Sequence, residues 1–217
     1  MSLFSSKRNI IIAALAALFV IYSFATVTVV KEGEEAKLTG EVAFDPTSVA
    51  TNFWQQDAES YFSAGATDFV TLVNESNGDF TSLASKYGHY SMGDSGELSF
   101  IVKGTGTVDT VKNKLRAGYL ALKVDGYTGN AQIRLQIGPV FKGSAVRDTI
   151  SKISYRDYKN QIEWAQVSVA FHDLISKEIL APIDMNSMQG KKVEFIGCFT
   201  VGRPSQILIT PVSLKVL

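Results

Sequence analysis

Apolar and polar positions along the chain fall into distinct regimes: one unbroken apolar run, a stretch of helical spacing, then strand-like alternation interrupted by a long amphipathic helix. The apolar run, Ile10 to Val30, carries no charge, no proline and no glycine. At 1.5 Å per residue such a run spans a bilayer core of roughly 30 Å. Lys7 and Arg8 precede it, and Lys31, Glu32, Glu34 and Glu35 follow, a charge order that keeps the N-terminus in the cytoplasm. Ser23-Phe24-Ala25 has the small-residue spacing of a signal-peptide cleavage site, but the run outlasts the roughly 7–15 apolar residues of an ordinary signal peptide. The expectation is an uncleaved single-pass anchor in the inner membrane over residues 1–30, a charged juxtamembrane spacer over 31–44, and a periplasmic remainder.

From Phe44 the spacing is helical. Asp45 is a good N-cap and Pro46 suits the first helical position. Val49, Phe53, Tyr61 and Phe62 recur near helical spacing with Gln55, Gln56 and Asp57 outside, predicting one helix of about 16 residues. A second helical stretch is expected over Ala66–Glu75, broken by Asn77-Gly78, and Asp79 can cap a third carrying Phe80, Leu83 and Tyr87. Residues 45–90 read as a small helical subdomain.

From Glu97 the period shortens. Leu98–Val102 is strand-like, Gly104–Val108 continues with small residues, residues 119–125 alternate, and Gln132–Ile137 alternates cleanly after the turn dipeptides Asp125-Gly126 and Gly129-Asn130. Three antiparallel strands are therefore expected between about 97 and 140. A long helix is expected over Asp157–Leu180. One apolar stripe is Tyr158, Ile162, Ala165 and Val169; the adjoining stripe is Trp164, Val167, Phe171 and Leu174, and the joint face needs covering. Ala181-Pro182 ends it, and residues 192–199 and 206–212 read as two strands around a Gly202–Ser205 turn. Three strands, a helix and two strands is the order of a five-stranded, partly open barrel of the OB type, with its helix between strands three and four. The predicted class is α+β: a transmembrane helix, the helical subdomain, and an OB-like antiparallel barrel over 97–217. A flat antiparallel sheet with one helix on a face is the competing arrangement.

Composition narrows the function classes more than it selects among them. Lys plus Arg equals Asp plus Glu, 21 each, so no basic excess argues for nucleic acid. The single cysteine, Cys198, cannot form an internal disulfide, and its neighbours Ile196, Gly197 and Phe199 are those of a buried strand residue. With one cysteine and two histidines, His89 and His172, a structural zinc site is excluded, and neither histidine has a helical i, i+4 partner for a metal. Gly93-Asp94-Ser95-Gly96 matches the surroundings of a protease serine, yet no base-then-acid order precedes it, so it reads as a loop. Gly104-Thr105-Gly106-Thr107 lacks the Gly-Lys-Ser/Thr ending of a phosphate loop and reads as a bulge or bend in a strand. No catalytic residue, metal or cofactor is assigned.

The polar residues that could form a site are Gln136, Arg147, Asp148, Asn160 and Gln161. Amides and a guanidinium converging on a cleft would suit a hydroxyl-rich ligand or a peptide backbone. Alternatively Arg147 is a structural lock, its planar fork satisfying carbonyls or Asp148 where helix meets sheet; the lock is the expectation. Trp54 and Trp164 could stack on a sugar ring, although on amphipathic helices they read first as core.

The run Gln136–Val140, Gly143–Ala145, Arg147-Asp148 and Asn160–Glu163, together with Phe44, Asp45, Pro46 and Trp54, resembles a bacterial family of predicted periplasmic lipoproteins of unknown function. The resemblance covers most of the chain beyond the apolar run. It implies a helical subdomain joined to an OB-like domain, and genes often found beside ribose-type sugar ABC importers; it implies no activity. One departure stands out: no cysteine follows the apolar segment, so a protein anchor takes the place of lipid. The expected function is a non-enzymatic, membrane-anchored envelope protein, accessory to a sugar ABC importer through a protein partner. The alternative is a periplasmic module that itself binds a small sugar or oligosaccharide.

Overall fold

The computed structural model describes residues 7–26 and 44–217. Two compact units divide the chain at Phe44 and Asp45. In the first, Lys7–Thr26 is helical, and its side chains from Ile10 to Tyr22 are exposed. Among the described residues no helix is long and apolar enough to cross a membrane, so the expected single-pass span is not found. Val27–Val30, the last part of the apolar run, and most of the expected spacer, residues 31–43, lie outside the described residues.

The second unit begins as Asp45 requires. Its carboxylate accepts from the backbone N–H groups of Thr47 (2.9 Å) and Ser48 (3.1 Å), and Pro46 takes the first helical position. The expected single helix is two, Pro46–Gln56 and Ala58–Gly65, broken at Asp57 (φ −123°). Phe53 and Phe62 explain the break. Nine positions apart, they face opposite sides of a straight helix. The bend lets both enter one core, edge to face at 6.0 Å. The next helix is Phe69–Ser76, capped by Asp68 onto the Thr71 N–H (2.8 Å) and ended by Asn77 at φ +46°. Asp79 caps a 3-10 turn, Phe80–Leu83, rather than an α-helix, and one turn of α-helix, Ala84–Tyr87, follows.

The strands are β1 (Thr67–Asp68), β2 (Gly88–Tyr90), β3 (Leu98–Lys112), β4 (Ala117–Val124), β5 (Gln132–Pro139), β6 (Lys192–Thr200) and β7 (Gln206–Val216). Five of them close a barrel in the order β3-β4-β5-β7-β6, with β6 pairing back onto β3. That is OB topology. The barrel is closed rather than partly open, and the competing flat sheet is not formed. One pairing, β5 with β7, is parallel, because the chain crosses over through the long helix before re-entering the sheet. β1 and β2 add to β3 outside the barrel.

β3 is one strand of 15 residues serving two neighbours within the barrel: Ser99–Thr107 pair with β6 and Gly106–Lys112 with β4. Gly106 stands at the hand-over, where a Cβ would lie 2.6 Å from the Lys123 carbonyl oxygen. The Gly104–Thr107 run is therefore a bend, and the bulge itself falls later, between Val108 and Thr110. Gly197 plays the same part where β6 shifts register against β7: a Cβ there would sit 2.7 Å from Thr210 O and 3.1 Å from Pro211 Cα. Because backbone cannot yield as a flexible side chain can, Gly197→Ala is expected to destabilise by about 1–3 kcal/mol, read as a lowered midpoint in urea unfolding with an unchanged slope.

The long helix starts at Gln161, not Asp157, because Asn160 caps it; residues 155–157 form a separate 3-10 turn, and Ile175–Leu180 continues as a π-helical turn. Trp164, Val167 and Phe171 are buried on its inner side. Phe171 meets Phe53 edge-on at 6.0 Å, so the first and last helices of the unit clasp each other. Phe80 packs on Phe100 (5.9 Å) and Phe199 (5.5 Å), fastening the helical segment to the barrel. The stripe of Ile162, Ala165 and Val169 stays in solvent, with Ile162 67% and Val169 56% exposed, so that part of the expected apolar face is not covered within the fold.

Candidate functional site

Between β5 and the long helix, Ala145–Asp148 makes a single helical turn that places Arg147 and Asp148 inside the fold. Their side chains are 7% and 1% exposed. Arg147 Nε and Nη2 both donate to Asp148 Oδ1 (2.9 and 2.6 Å), and Nη1 donates to the Trp164 carbonyl (2.7 Å). The guanidinium lies 3.9 Å from the centroid of the Trp164 ring. All three nitrogens of the guanidinium thus donate to the body of the protein, which is the geometry of a lock between the Ala145–Asp148 turn and the long helix.

The remaining expected site residues do not join this pair. Gln136 is buried and saturated: its Nε2 donates to Thr210 Oγ1 (2.7 Å) and Lys142 O (3.0 Å), and its Oε1 accepts from the Lys142 N–H (2.7 Å). It pins the loop after β5. Asn160 Oδ1 accepts from the Ile162 and Glu163 N–H groups (2.9 Å each) as a helix cap, and Gln161 is the exposed first residue of that helix. Trp54 Nε1 donates to Glu178 Oε2 (2.8 Å), tying the first helix to the π-helical turn. Cys198 is fully buried beside Thr149 Oγ1 (3.3 Å), and burial pushes its thiol up to about 12.

One atom of the buried pair has no partner. Asp148 Oδ2 is buried and makes no hydrogen bond. Burial raises this carboxyl above its ordinary range, an effect opposed by Arg147. Asp148 also forms part of the wall of an open cavity of about 630 Å³ lined by side chains from within residues 81–94 and 148–155 and by Trp164. Aromatic surface comes from Tyr90, Tyr155 and Trp164, with Tyr155 edge-on to Trp164 at 5.9 Å. Ser85, Ser91, Ser151 and Ser154 contribute hydroxyls, and Asp94 a second carboxylate. His89 is half-buried, and burial lowers its pKa, favouring the neutral ring. Among the described residues neither lysine nor arginine lines the space.

Sequence reading reached Asp148 and Trp164 and missed His89, Tyr90 and Tyr155. Ser151–Tyr155 follows directly on Arg147-Asp148, a proximity that was available. His89 and Tyr90 are brought in only because β2 pairs with the start of β3, His89 opposite Ser99. No periodicity in the sequence announces a pairing of three residues.

A family described as predicted periplasmic lipoproteins matches residues 15–215 of the chain. Among solved structures, a crystal structure of an OB-fold protein from Thermotoga maritima resembles it with a TM-score of 0.62 at 16% identity, covering 81% of this chain and all of the other. At that identity the likeness speaks to the fold alone. A search of curated proteins finds no match.

Proposed function

The chain belongs to the family of predicted periplasmic lipoproteins, and from that premise we propose that it is a non-enzymatic envelope module that captures a small sugar or oligosaccharide in the cavity beside Asp148. Family membership supports a periplasmic location with membrane attachment. The chain's single cysteine is buried in β6 and cannot carry lipid, so attachment falls to the uncharged segment Ile10–Val30, held in the inner membrane.

The observation that carries the ligand reading is the orphan oxygen. A buried carboxylate oxygen without a donor is costly unless something supplies one. Asp148 Oδ2 is sealed just behind the cavity wall, so a sugar hydroxyl would supply that donor by displacing the side chains that cover it, while its apolar ring face lies against Tyr155 or Trp164. Carboxylates in the wall and no cation favour a neutral polyol over a sugar phosphate. In calorimetric titration of the detergent-solubilised full chain against neutral mono- and oligosaccharides, one class is expected to bind. Tyr155→Ala is expected to weaken it about tenfold or more, as loss of an aromatic contact predicts, with the melting temperature near wild type. Absence of binding across the panel, or an unchanged affinity in Tyr155→Ala, would refute the reading.

A second reading, an accessory that docks onto a component of a sugar ABC importer, is favoured by the uncovered stripe of Ile162, Ala165 and Val169. It is separable from the first: Ile162→Asp with Val169→Asp would break docking and leave saccharide binding intact.

A further inference from the structure

Charge is unevenly distributed in this formally neutral chain. Between Thr110 and Arg147 the only acid is Asp125, against six lysines and arginines before Arg147. The fold gathers four of these at one end of the barrel. Lys112, Lys114 and Arg116 flank the β3–β4 turn, and the Val140 N–H donates to the Arg116 carbonyl (2.8 Å), which brings Lys142 alongside. All four are exposed, and none forms an ion pair among the described residues. Among them stand two bare apolar side chains, Leu115 at 50% exposure and Val140 at 40%.

Little negative charge answers this cluster. Asp125 lies at the far end of β4, bonded to Lys192 (3.0 Å), and Asp109 is paired with Lys123 (2.5 Å). The acid that the fold brings close is Asp184: Asn113 Nδ2 donates to Asn186 Oδ1 (2.8 Å), and Asp184 Oδ1 accepts from the Asn186 N–H (3.1 Å).

We propose that this end of the barrel is a contact surface for anionic phospholipid headgroups. Four unpaired cations match phosphate, and Leu115 and Val140 match the hydrocarbon just beneath it. A soluble polyanion would use the cations and leave both apolar groups in water, so the mixture of the two chemistries favours a lipid surface. Membership in a membrane-attached family supplies the occasion, because a second, electrostatic contact strengthens a single attachment.

The test uses the full chain reconstituted into vesicles, with an environment-sensitive dye on Leu115→Cys. Cys198 is buried and its thiol is pushed up to about 12, so the native cysteine does not label. In phosphatidylglycerol-containing vesicles the dye is expected to report an apolar environment, and in pure phosphatidylcholine an aqueous one. A dye on Ser205→Cys, in the β6–β7 turn at the other end of the strands, is expected to stay aqueous in both. Reversing Lys112, Lys114 and Arg116 to glutamate is expected to lower the inserted fraction about tenfold or more, and 0.5 M salt, on the order of several-fold above physiological strength, should act in the same direction. Identical spectra in the two lipids, a charge-reversed variant that inserts as well as wild type, or a dye that responds to soluble heparin but not to vesicles would overturn the proposal.

Discussion

Arg147→Ala is expected to cost about 3–5 kcal/mol, because removing one member of a buried charged pair strands the other. Asp148 would keep a buried carboxylate with both oxygens unpartnered, since Oδ1 now receives both of its hydrogen bonds from Arg147 and Oδ2 has none. The Trp164 carbonyl would lose its side-chain donor, and the indole would lose the guanidinium stacked on it. For a unit of this size such a loss lowers the melting temperature by roughly 10 °C. Arg147→Lys should not rescue it: an ammonium keeps the charge but cannot bridge Asp148 and the Trp164 carbonyl with a planar fork. Calorimetric melting of both variants is the measurement. An alanine variant melting within a degree or two of wild type would show that the pair is not a lock.

Acidification should destabilise the protein through His172 before ordinary carboxylates titrate. The ring is stacked on Phe141 at 4.8 Å, and burial first, then the nearby Arg147 charge, lowers its pKa from 6.5 to about 4. In the folded state the ring stays neutral where the unfolded chain takes up a proton, so between pH 6.5 and about 4 the unfolded state binds more protons. Stability therefore rises with pH across that window and falls as pH is lowered through it. At about 1.4 kcal/mol per unit, and discounting for partial exposure, the loss amounts to about 2–3 kcal/mol. His89, also lowered by burial, adds in the same direction, while the raised Asp148 acts against both. His172→Phe keeps a ring for Phe141 and removes the titration. Urea midpoints measured from pH 7 to 4.5 should fall less steeply in the variant; parallel slopes would exclude His172 as the source.

How much of the candidate site was legible differs residue by residue. Arg147 and Asp148 are charged neighbours between a strand and a helix, and what a buried guanidinium needs favours a lock over an open site. Gln136, Asn160 and Gln161 share with them only nearness in sequence. The chain spends them separately: Gln136 closes a loop, Asn160 caps a helix, and Gln161 faces solvent. A polar residue looks alike in sequence whether its partner is a ligand or a backbone amide two to six positions away.

The order of elements was set by local chemistry. Asp45-Pro46, Asn77-Gly78 and Ala181-Pro182 act within a few residues of themselves, and the alternation of Gln132–Ile137 needs only its own pleat, so strand order and the place of the long helix could be read directly. Tertiary structure decided whatever required two distant segments to meet. Phe53 and Phe62 broke a helix that spacing alone would continue, because one core could take both only if the axis turned. Gly106 allowed one strand to serve two neighbours and so close the barrel. The cavity at Asp148 exists because β2, a strand of three residues, pairs with β3 and carries His89 and Tyr90 to the segment that follows Arg147. Such pairings depend on the free energy of the whole packed unit, and no single stretch of sequence contains that quantity.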